Sequence, residues 1–141
     1  MSNSPQLTYY SFSPKVVAFS TTRHGGVSQG AYGAFNINSF CGDDAGAVAA
    51  NRSLLCRQLG IVPEALVVPH QTHGDVVRQI GQEWLSLPEH QRSRLLEGVD
   101  AVMTDVPQLC IGVSTADCIP VLLYDAEHHA GCAVHAGWRG T

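Results

Sequence analysis

Two apolar runs near the end of the sequence constrain the fold most strongly. One extends from Ile119 to Tyr124 and the other from Ala130 to Val134, and the polar segment Asp125–His129 joins them. Two such runs with a short polar segment between them are typical of two β-strands joined by a turn. Cys118 precedes the first strand and His135 follows the second. The predicted strands would therefore bring this thiol and this imidazole to one place.

A thiol and an imidazole that meet in this way can form a metal site or a nucleophile pair. Zinc accepts Cys and His ligands, and three protein ligands with an open fourth position are typical of catalytic zinc. His73, in a polar HxxH segment that starts at His70, is the candidate third ligand. The first alternative is a metal-free Cys118–His135 dyad with Asp117 as the orienting group. The second is that these are ordinary core or loop residues, and sequence order does not separate the three readings.

The composition is that of a folded domain with little surface charge. Of the 141 residues, 45% are hydrophobic and 14% are charged, which is typical of globular rather than disordered chains. We expect residues 1–141 to form a single domain. The formal net charge is -4 and the basic residues are scattered, so neither nucleic acid nor a membrane is an expected partner.

The sequence predicts a cytoplasmic protein. No apolar run approaches the length needed to cross a bilayer, and the polar N-terminal segment lacks the features of an export signal. The five cysteines are an odd number without CxxC spacing, so we expect reduced thiols rather than a disulfide framework. Three of them are interpreted as small buried hydrophobic residues: Cys56, Cys110 and Cys132.

The pattern of short elements predicts a mixed-sheet α/β or α+β domain flanked by helices. A helix is expected from Ala45 to Leu59, with Asp43 or Asp44 as its N-cap and Gly60 at its end. A shorter helix is expected within 82–96, which Pro88 interrupts. Besides the two strands near the end of the sequence, strands are predicted over 15–20, 65–68, 76–80, 98–105 and 109–113.

A glycine turn follows the first predicted strand. It reads Arg23-His24-Gly25-Gly26 and leads into a segment, 27–38, that is interpreted as an ordered loop. Glycines let backbone N–H groups approach an anion closely, and an arginine can donate two hydrogen bonds to a phosphate. The turn therefore suggests a phosphate site, although it lacks the GK[ST] ending of a Walker loop.

Four groups of motifs occur in an order that resembles a known family. They are TTRHGGVS with Asn36 downstream, QTHG, DAVMTD with ADCIP, and HAGWRGT. They resemble the polyphenol oxidase/laccase-domain family of bacterial purine nucleoside phosphorylases, which is also described through a peptidoglycan-editing factor. The resemblance covers almost the whole chain.

The resemblance implies a zinc site on His73, Cys118 and His135, with copper as the alternative metal. It further implies phosphorolysis of adenosine, inosine and methylthioadenosine, and deamination of adenosine. Arg23 is the expected phosphate ligand. His24 and Asn36 are the other expected substrate or phosphate contacts, and Asp117 is the expected proton shuttle. A multicopper oxidase would need many more histidine ligands than the seven present.

The sequence also departs from the family pattern. Ile37, rather than the usual glycine, follows Asn36. Family members continue beyond HAGWRGT, so we expect this chain to be the first part of the domain, incomplete at its C-terminus, with Thr141 as a good helix N-cap.

Two further functions stay open at this point. One is a cysteine hydrolase or amidase that acts on peptidoglycan precursors, and the other is a non-enzymatic binding module.

Overall fold

The structure is a computed structural model that describes residues 2–139. The N-cap predicted at Thr141 lies outside the described residues. Internal contacts divide the chain into two compact units, Met1–Pro63 and Glu64–Thr141. The single domain expected over 1–141 stays a prediction. No helix among the described residues has the length and apolar character required to cross a membrane.

Short strands dominate the fold. In chain order they are β1 (Leu7–Tyr10), β2 (Ala18–Thr21), β3 (Leu66–Val67), β4 (Val77–Gln79), β5 (Ala101–Thr104), β6 (Cys110–Ile111), β7 (Ile119–Asp125) and β8 (Ala130–Ala136). The α-helices are α1 (Ala45–Leu59) and α2 (Glu89–Leu95), and short 3₁₀ turns cover Gly30–Tyr32, Pro63–Ala65 and Gln82–Ser86. The predicted mixed α/β class is confirmed.

In the first unit, β1 and β2 form an antiparallel pair in which Leu7 lies opposite Thr21. The strand predicted over 15–20 was placed too early, because its first residues lie in the connection between β1 and β2. There the backbone N–H groups of Lys15 and Val16 bond to the hydroxyl and carbonyl of Ser13. β1 itself was not predicted, since it is stabilised by pairing with β2 rather than by a local apolar run.

Helix α1 has the predicted bounds. The Asp44 carboxylate accepts a hydrogen bond from the Ala47 backbone N–H at 2.8 Å and so caps the first turn. At the other end Gly60 adopts a left-handed conformation with φ of 70°, which favours glycine. Val48 and Leu55 on this helix are buried.

In the second unit, a four-stranded sheet has the order β4-β5-β8-β7. β4 and β5 are parallel, whereas β8 is antiparallel to both of its neighbours. The separate β3–β6 pair is parallel. This mixture of directions agrees with the mixed sheet that the sequence predicts.

Two clusters of buried side chains form the core of the second unit. Val67, Ile80 and Trp84 make up one cluster. Val99 and Val102 pack with Ala133 of β8 in the other, which joins β5 to the hairpin formed by β7 and β8. Burying side chains of this size stabilises a fold by roughly 1.5–3 kcal/mol each. The hairpin is therefore fixed to β5 by packing as well as by backbone pairing.

Candidate metal centre

The β7–β8 hairpin brings Cys118 and His135 together, as the sequence predicts. Pro120 lies opposite His135 and Ile119 lies opposite Ala136 in the antiparallel register. Cys118, which immediately precedes β7, is therefore beside the end of β8. The imidazole of His135 is buried, and its backbone N–H donates to the carbonyl oxygen of Asp100 at 2.8 Å.

The loop before β4 supplies the third candidate ligand, His73. This residue has a φ of 62°, an uncommon left-handed conformation for a residue other than glycine. Gln71 connects the same loop to the segment that precedes Cys118. Its side-chain amide donates to the Ser114 carbonyl at 2.6 Å, and its side-chain oxygen accepts from the Ser114 N–H at 2.7 Å. This double hydrogen bond holds the His73 loop against the segment that leads to Cys118.

The three predicted ligands converge. The ligand atoms of His73, Cys118 and His135 all lie within 4.8 Å of one another, and no other such group of at least three occurs among residues 2–139. The two imidazole rings meet edge to face, with 4.9 Å between their centroids. Zinc bonds to nitrogen and sulfur are about 2.0–2.3 Å long, so small side-chain rotations would let one ion reach all three. The donor set and its spacing fit zinc.

Gly137 borders this group of ligands. A Cβ atom at this position would lie 3.4 Å from Cδ2 of His73, 3.8 Å from Sγ of Cys118 and 3.9 Å from Cε1 of His135. A side chain here would therefore contact all three ligands. Glycine leaves the space beside the candidate metal position open.

Asp100 bridges two of the ligand segments. Its Oδ2 lies 2.7 Å from Nδ1 of His135 and accepts the His73 backbone N–H at 3.0 Å. Its Oδ1 accepts the N–H groups of Thr72 at 3.1 Å and Gly74 at 3.0 Å. Burial acts to raise the pKa of Asp100, but the hydrogen bonds from His135 and these three N–H groups outweigh it and lower the pKa below its ordinary value.

Asp100 was not among the residues predicted for the site. The signal for it is an aspartate between Val99 and Ala101, inside a run that reads as a strand. A carboxylate in an apolar run is rarely buried without partners, so its position alone suggests a hydrogen-bonded role. Its partners lie far away in the sequence and could not be named from it.

Asp117 is exposed in the bend that precedes β7. The carboxylate that contacts Nδ1 of His135 is that of Asp100 rather than that of Asp117. Its role as a proton shuttle stays a prediction. His70 lies outside the group of ligands, and its Nδ1 is 2.9 Å from the Glu97 carboxylate.

The predicted substrate and phosphate residues belong to the first unit. Arg23 is exposed, and its Nε and Nη2 donate to the Gly33 carbonyl oxygen at 3.1 and 2.8 Å. The backbone N–H of His24 donates to the Thr22 hydroxyl, and that of Gly26 donates to the Asn3 carbonyl. These contacts order the turn internally, and the phosphate role of Arg23 and His24 stays a prediction.

Asn36 takes part in a polar network around Asn51, which is fully buried. The Asn51 side chain donates to the Ser28 hydroxyl and to the Asn36 carbonyl, each at 2.9 Å. Asp43 accepts from the Ser28 hydroxyl at 2.6 Å and from the Asn36 amide at 3.0 Å. The Ser28 hydrogen bond, aided by the Asn36 amide and the Asp44 N–H, lowers the pKa of Asp43 despite some burial.

The Asp43 network predicts a specific acid sensitivity. A carboxyl with a lowered folded-state pKa stabilises the fold above its unfolded pKa, near 3.8, and loses that contribution as the pH falls further. Asp43→Asn should therefore have a free energy of unfolding that falls less steeply with decreasing pH. Urea denaturation of both proteins at several pH values between about 3 and 6 measures the difference. Ser28→Ala should flatten the profile in the same direction, whereas parallel profiles for all three proteins would contradict the assignment.

None of the five cysteines, all within the described part of the chain, forms a disulfide. Cys56 is buried, Cys110 and Cys132 are half-buried, and Cys41 is exposed. Burial raises the pKa of the Cys132 thiol. Cys56 fits the interpretation as a small buried hydrophobic residue, and Cys110 and Cys132 fit it in part.

The fold and the site define a mixed α/β protein with a three-ligand His–Cys–His candidate metal centre. Residues 17–141 match the family described as multi-copper polyphenol oxidoreductase laccase, and the chain belongs to this family. The resemblance inferred from the motifs is thereby confirmed. The family description agrees with a metal-binding role for the site.

Curated relatives carry the names of nucleoside enzymes. A purine nucleoside phosphorylase of Bacteroides thetaiotaomicron is 49% identical over 123 residues, which are 87% of this chain and 46% of that protein. Adenosine deaminase RL5, from an unknown prokaryotic organism, is 42% identical over 126 residues, or 89% of this chain and 48% of that protein. The chain thus spans about half the length of the curated relatives that it matches.

Solved structures of two bacterial proteins have the same fold. The Neisseria meningitidis protein NMB0706 is 34% identical, with a TM-score of 0.78 over 95% of this chain and 51% of that one. YlmD from Geobacillus stearothermophilus is 29% identical, with a TM-score of 0.78 over 91% of this chain and 48% of that one. These similarities agree with the family assignment.

Proposed function

We propose that this chain is part of a zinc-dependent enzyme that acts on purine nucleosides. Its reactions would be phosphorolysis of adenosine, inosine and methylthioadenosine to the free base and ribose 1-phosphate, and deamination of adenosine. The main support is the convergence of His73, Cys118 and His135 in a chain that is 49% identical to a purine nucleoside phosphorylase over the matched residues. The proposal places residues 1–141 in a single domain of a cytoplasmic enzyme, since thiols stay reduced in the cytoplasm.

His73, Cys118 and His135 would hold the zinc ion, and copper is the alternative metal. When bound, zinc supplies a Lewis acid that can activate water or stabilise negative charge on a departing purine. Because Nδ1 of His135 is engaged by Asp100, only its other ring nitrogen is left to bind the metal. Proton transfer then requires a further group. Asp117 fits this role because it is exposed and adjacent to Cys118.

For phosphorolysis, phosphate would attack C1' of the ribose while the purine leaves. Arg23 is the proposed phosphate ligand, with His24 beside it, since a guanidinium group binds phosphate through charge-assisted hydrogen bonds. Nε and Nη2 of Arg23 each donate one hydrogen bond to Gly33, so this contact would use the remaining N–H donors of Nη1 and Nη2. Asn36 is the proposed contact to the nucleoside.

Metal analysis combined with a nucleoside assay tests the proposal. About one zinc per chain is expected from inductively coupled plasma mass spectrometry of the purified protein. Adenosine should give adenine only when phosphate is present, and inosine whether or not phosphate is present. Chromatography separates these products. A metal-free protein that converts adenosine in neither condition would overturn the proposal for this chain.

A cysteine hydrolase or amidase that acts on peptidoglycan precursors is the second candidate. One observation favours it: Asp100 contacts Nδ1 of His135, and a ring nitrogen of His135 lies within 4.8 Å of the Cys118 sulfur. This is the order of acid, imidazole and nucleophile that hydrolytic triads use. Such an enzyme would keep its activity in a chelator and lose it on thiol alkylation. A zinc enzyme would lose its activity in the chelator.

A copper-dependent polyphenol oxidase, the activity in the family description, has less support. A multicopper oxidase requires several copper centres. Across residues 2–139, only the group of His73, Cys118 and His135 could hold a metal ion. This alternative requires that the copper-loaded protein oxidises a phenol, which an oxidase assay would measure.

A further inference from the structure

Asp100 holds together two parts of the metal centre that are far apart in the sequence. Its side chain is only 3% exposed, as is that of His135. Four N–H groups surround it: three consecutive backbone groups of the His73 loop, and Nδ1 of His135. A buried carboxylate with this many donors has most of its hydrogen-bonding capacity satisfied.

The contact with His135 determines which ring nitrogen is available. An ionised carboxylate only accepts hydrogen bonds, so Nδ1 of His135 must carry the hydrogen in the 2.7 Å contact. The neutral ring then has its lone pair on Nε2, which is the form that can bind a metal. The opposite tautomer would place the hydrogen on Nε2 and remove this ligand.

The contacts with the loop determine where His73 lies. Consecutive backbone N–H groups converge on one anion when residues of opposite handedness alternate, and His73 has the left-handed φ of 62°. The N–H groups of Thr72, His73 and Gly74 all point to the two Asp100 oxygens. The carboxylate thus stabilises the uncommon backbone conformation that positions the His73 ring.

We propose that Asp100 is the positioning residue of the metal centre, because its one carboxylate selects the metal-binding nitrogen of His135 and holds the loop that carries His73. This inference rests on the metal site of the proposed function and adds the residue that sets its affinity. Its basis is the convergence of donors from both ligand segments on two buried oxygens.

Asparagine is a sharp test because it has the size of aspartate but only one acceptor oxygen. If the amide nitrogen replaces Oδ1, it faces the donors of Thr72 and Gly74. If it replaces Oδ2, it faces the His73 N–H and drives the His135 hydrogen to Nε2. Both orientations leave donors facing donors, and a buried group without a partner is unfavourable. We therefore expect Asp100→Asn to weaken zinc binding by roughly 10- to 100-fold, the usual effect of losing a partner of a metal-ligating histidine.

Asp125 offers a matched control within the hairpin. Its Oδ2 also lies 2.7 Å from the Nδ1 of a histidine, His128, and its Oδ1 accepts two backbone N–H groups. This pair is exposed and is not part of the group of ligands. Asp125→Asn should therefore leave the zinc affinity within about twofold of the original value, because the lost contacts are solvated.

The experiment measures zinc dissociation constants by competition with a chromophoric chelator for the 141-residue protein and both variants. Circular dichroism checks that each variant is folded. In parallel, ¹⁵N chemical shifts of the metal-free protein at a pH where His135 is neutral identify the ring nitrogen that carries hydrogen. We expect hydrogen on Nδ1, and we expect Asp100→Asn to shift the population towards Nε2–H.

The outcomes separate this inference from the proposed function. A folded Asp100→Asn protein with unchanged zinc affinity would overturn the inference and leave the metal site standing. Hydrogen on Nε2 in the original protein would overturn it even if the variant failed to fold. If the original protein bound no zinc, the proposed function would fail, and hydrogen on Nδ1 would still support the selection of tautomer by Asp100.

Discussion

Replacing Cys118 with alanine should remove metal binding and turnover of adenosine together. The substitution deletes the only sulfur ligand and leaves two imidazoles, of which the His73 ring is exposed. Loss of a ligand should exceed the roughly 10- to 100-fold effect that follows from losing a hydrogen-bonding partner of a ligand. Metal analysis after gel filtration and a chromatographic adenosine assay on the same sample measure both quantities.

Cys132→Ala is the matched control for this prediction. Cys132 is a half-buried thiol in β8, paired with Leu123, and it is outside the group of ligands. The control should keep its metal and its turnover while losing some stability from the smaller side chain. Turnover that persisted in metal-free Cys118→Ala would rule out a metal mechanism.

Replacing Gly26 with alanine should strongly destabilise the first unit. Gly26 has a φ of 78°, and a Cβ atom there would lie 2.6 Å from the Asn51 side-chain oxygen and 2.7 Å from the Ala34 carbonyl oxygen. Asn51 is fully buried and Ala34 contributes backbone atoms, so neither can move aside at little cost. The left-handed conformation and the overpacking together should lower the free energy of unfolding by about 2–5 kcal/mol.

Comparison with Gly30→Ala separates the steric part of that effect from the conformational part. Gly30 also has a positive φ, 61°, but no atom lies within 4 Å of the position that a Cβ would occupy. Its substitution should cost only about 1–2 kcal/mol, for the left-handed conformation alone. Urea denaturation, monitored by circular dichroism, compares the free energies of unfolding of the two variants. Equal losses of stability would show that the contacts with Asn51 and Ala34 do not matter.

The sequence predicted the elements whose signals are local. α1 begins after a capping aspartate and ends at a glycine, so both bounds are defined by residues within or next to the helix. The β7–β8 hairpin is defined by two adjacent apolar runs and the turn between them, and it brings Cys118 beside His135 without any distant contact.

Contacts between distant segments could not be predicted from the sequence. β1 lacks a strong pattern and depends on pairing with β2. Asp100 contacts three residues of the His73 loop and His135, and Gln71 pairs with Ser114 across a similar separation. No periodicity or spacing rule names such partners, since they follow from the path of the chain.

The glycine turn near Arg23 shows how one pattern can have two physical causes. Glycines allow close approach of an anion, which was the interpretation from sequence, but they also allow close approach of other protein atoms. In the first unit, Gly26 packs against Asn51 and Ala34, and its N–H bonds to Asn3. The close approach at Gly26 is therefore to the protein itself.

The register of β7 against β8 determines the distance between Cys118 and His135. The backbone N–H of His135 also bonds to Asp100, on the side of β8 away from β7, whereas Cys118 directly precedes the first paired residue of β7. A slip of one residue between the two strands would move Cys118 by about 3.3 Å and turn side chains of β7 to the opposite face. Molecules with a misaligned hairpin would lack Cys118 as a ligand. The metal content of a preparation would therefore report the fraction of molecules that have folded in the correct register.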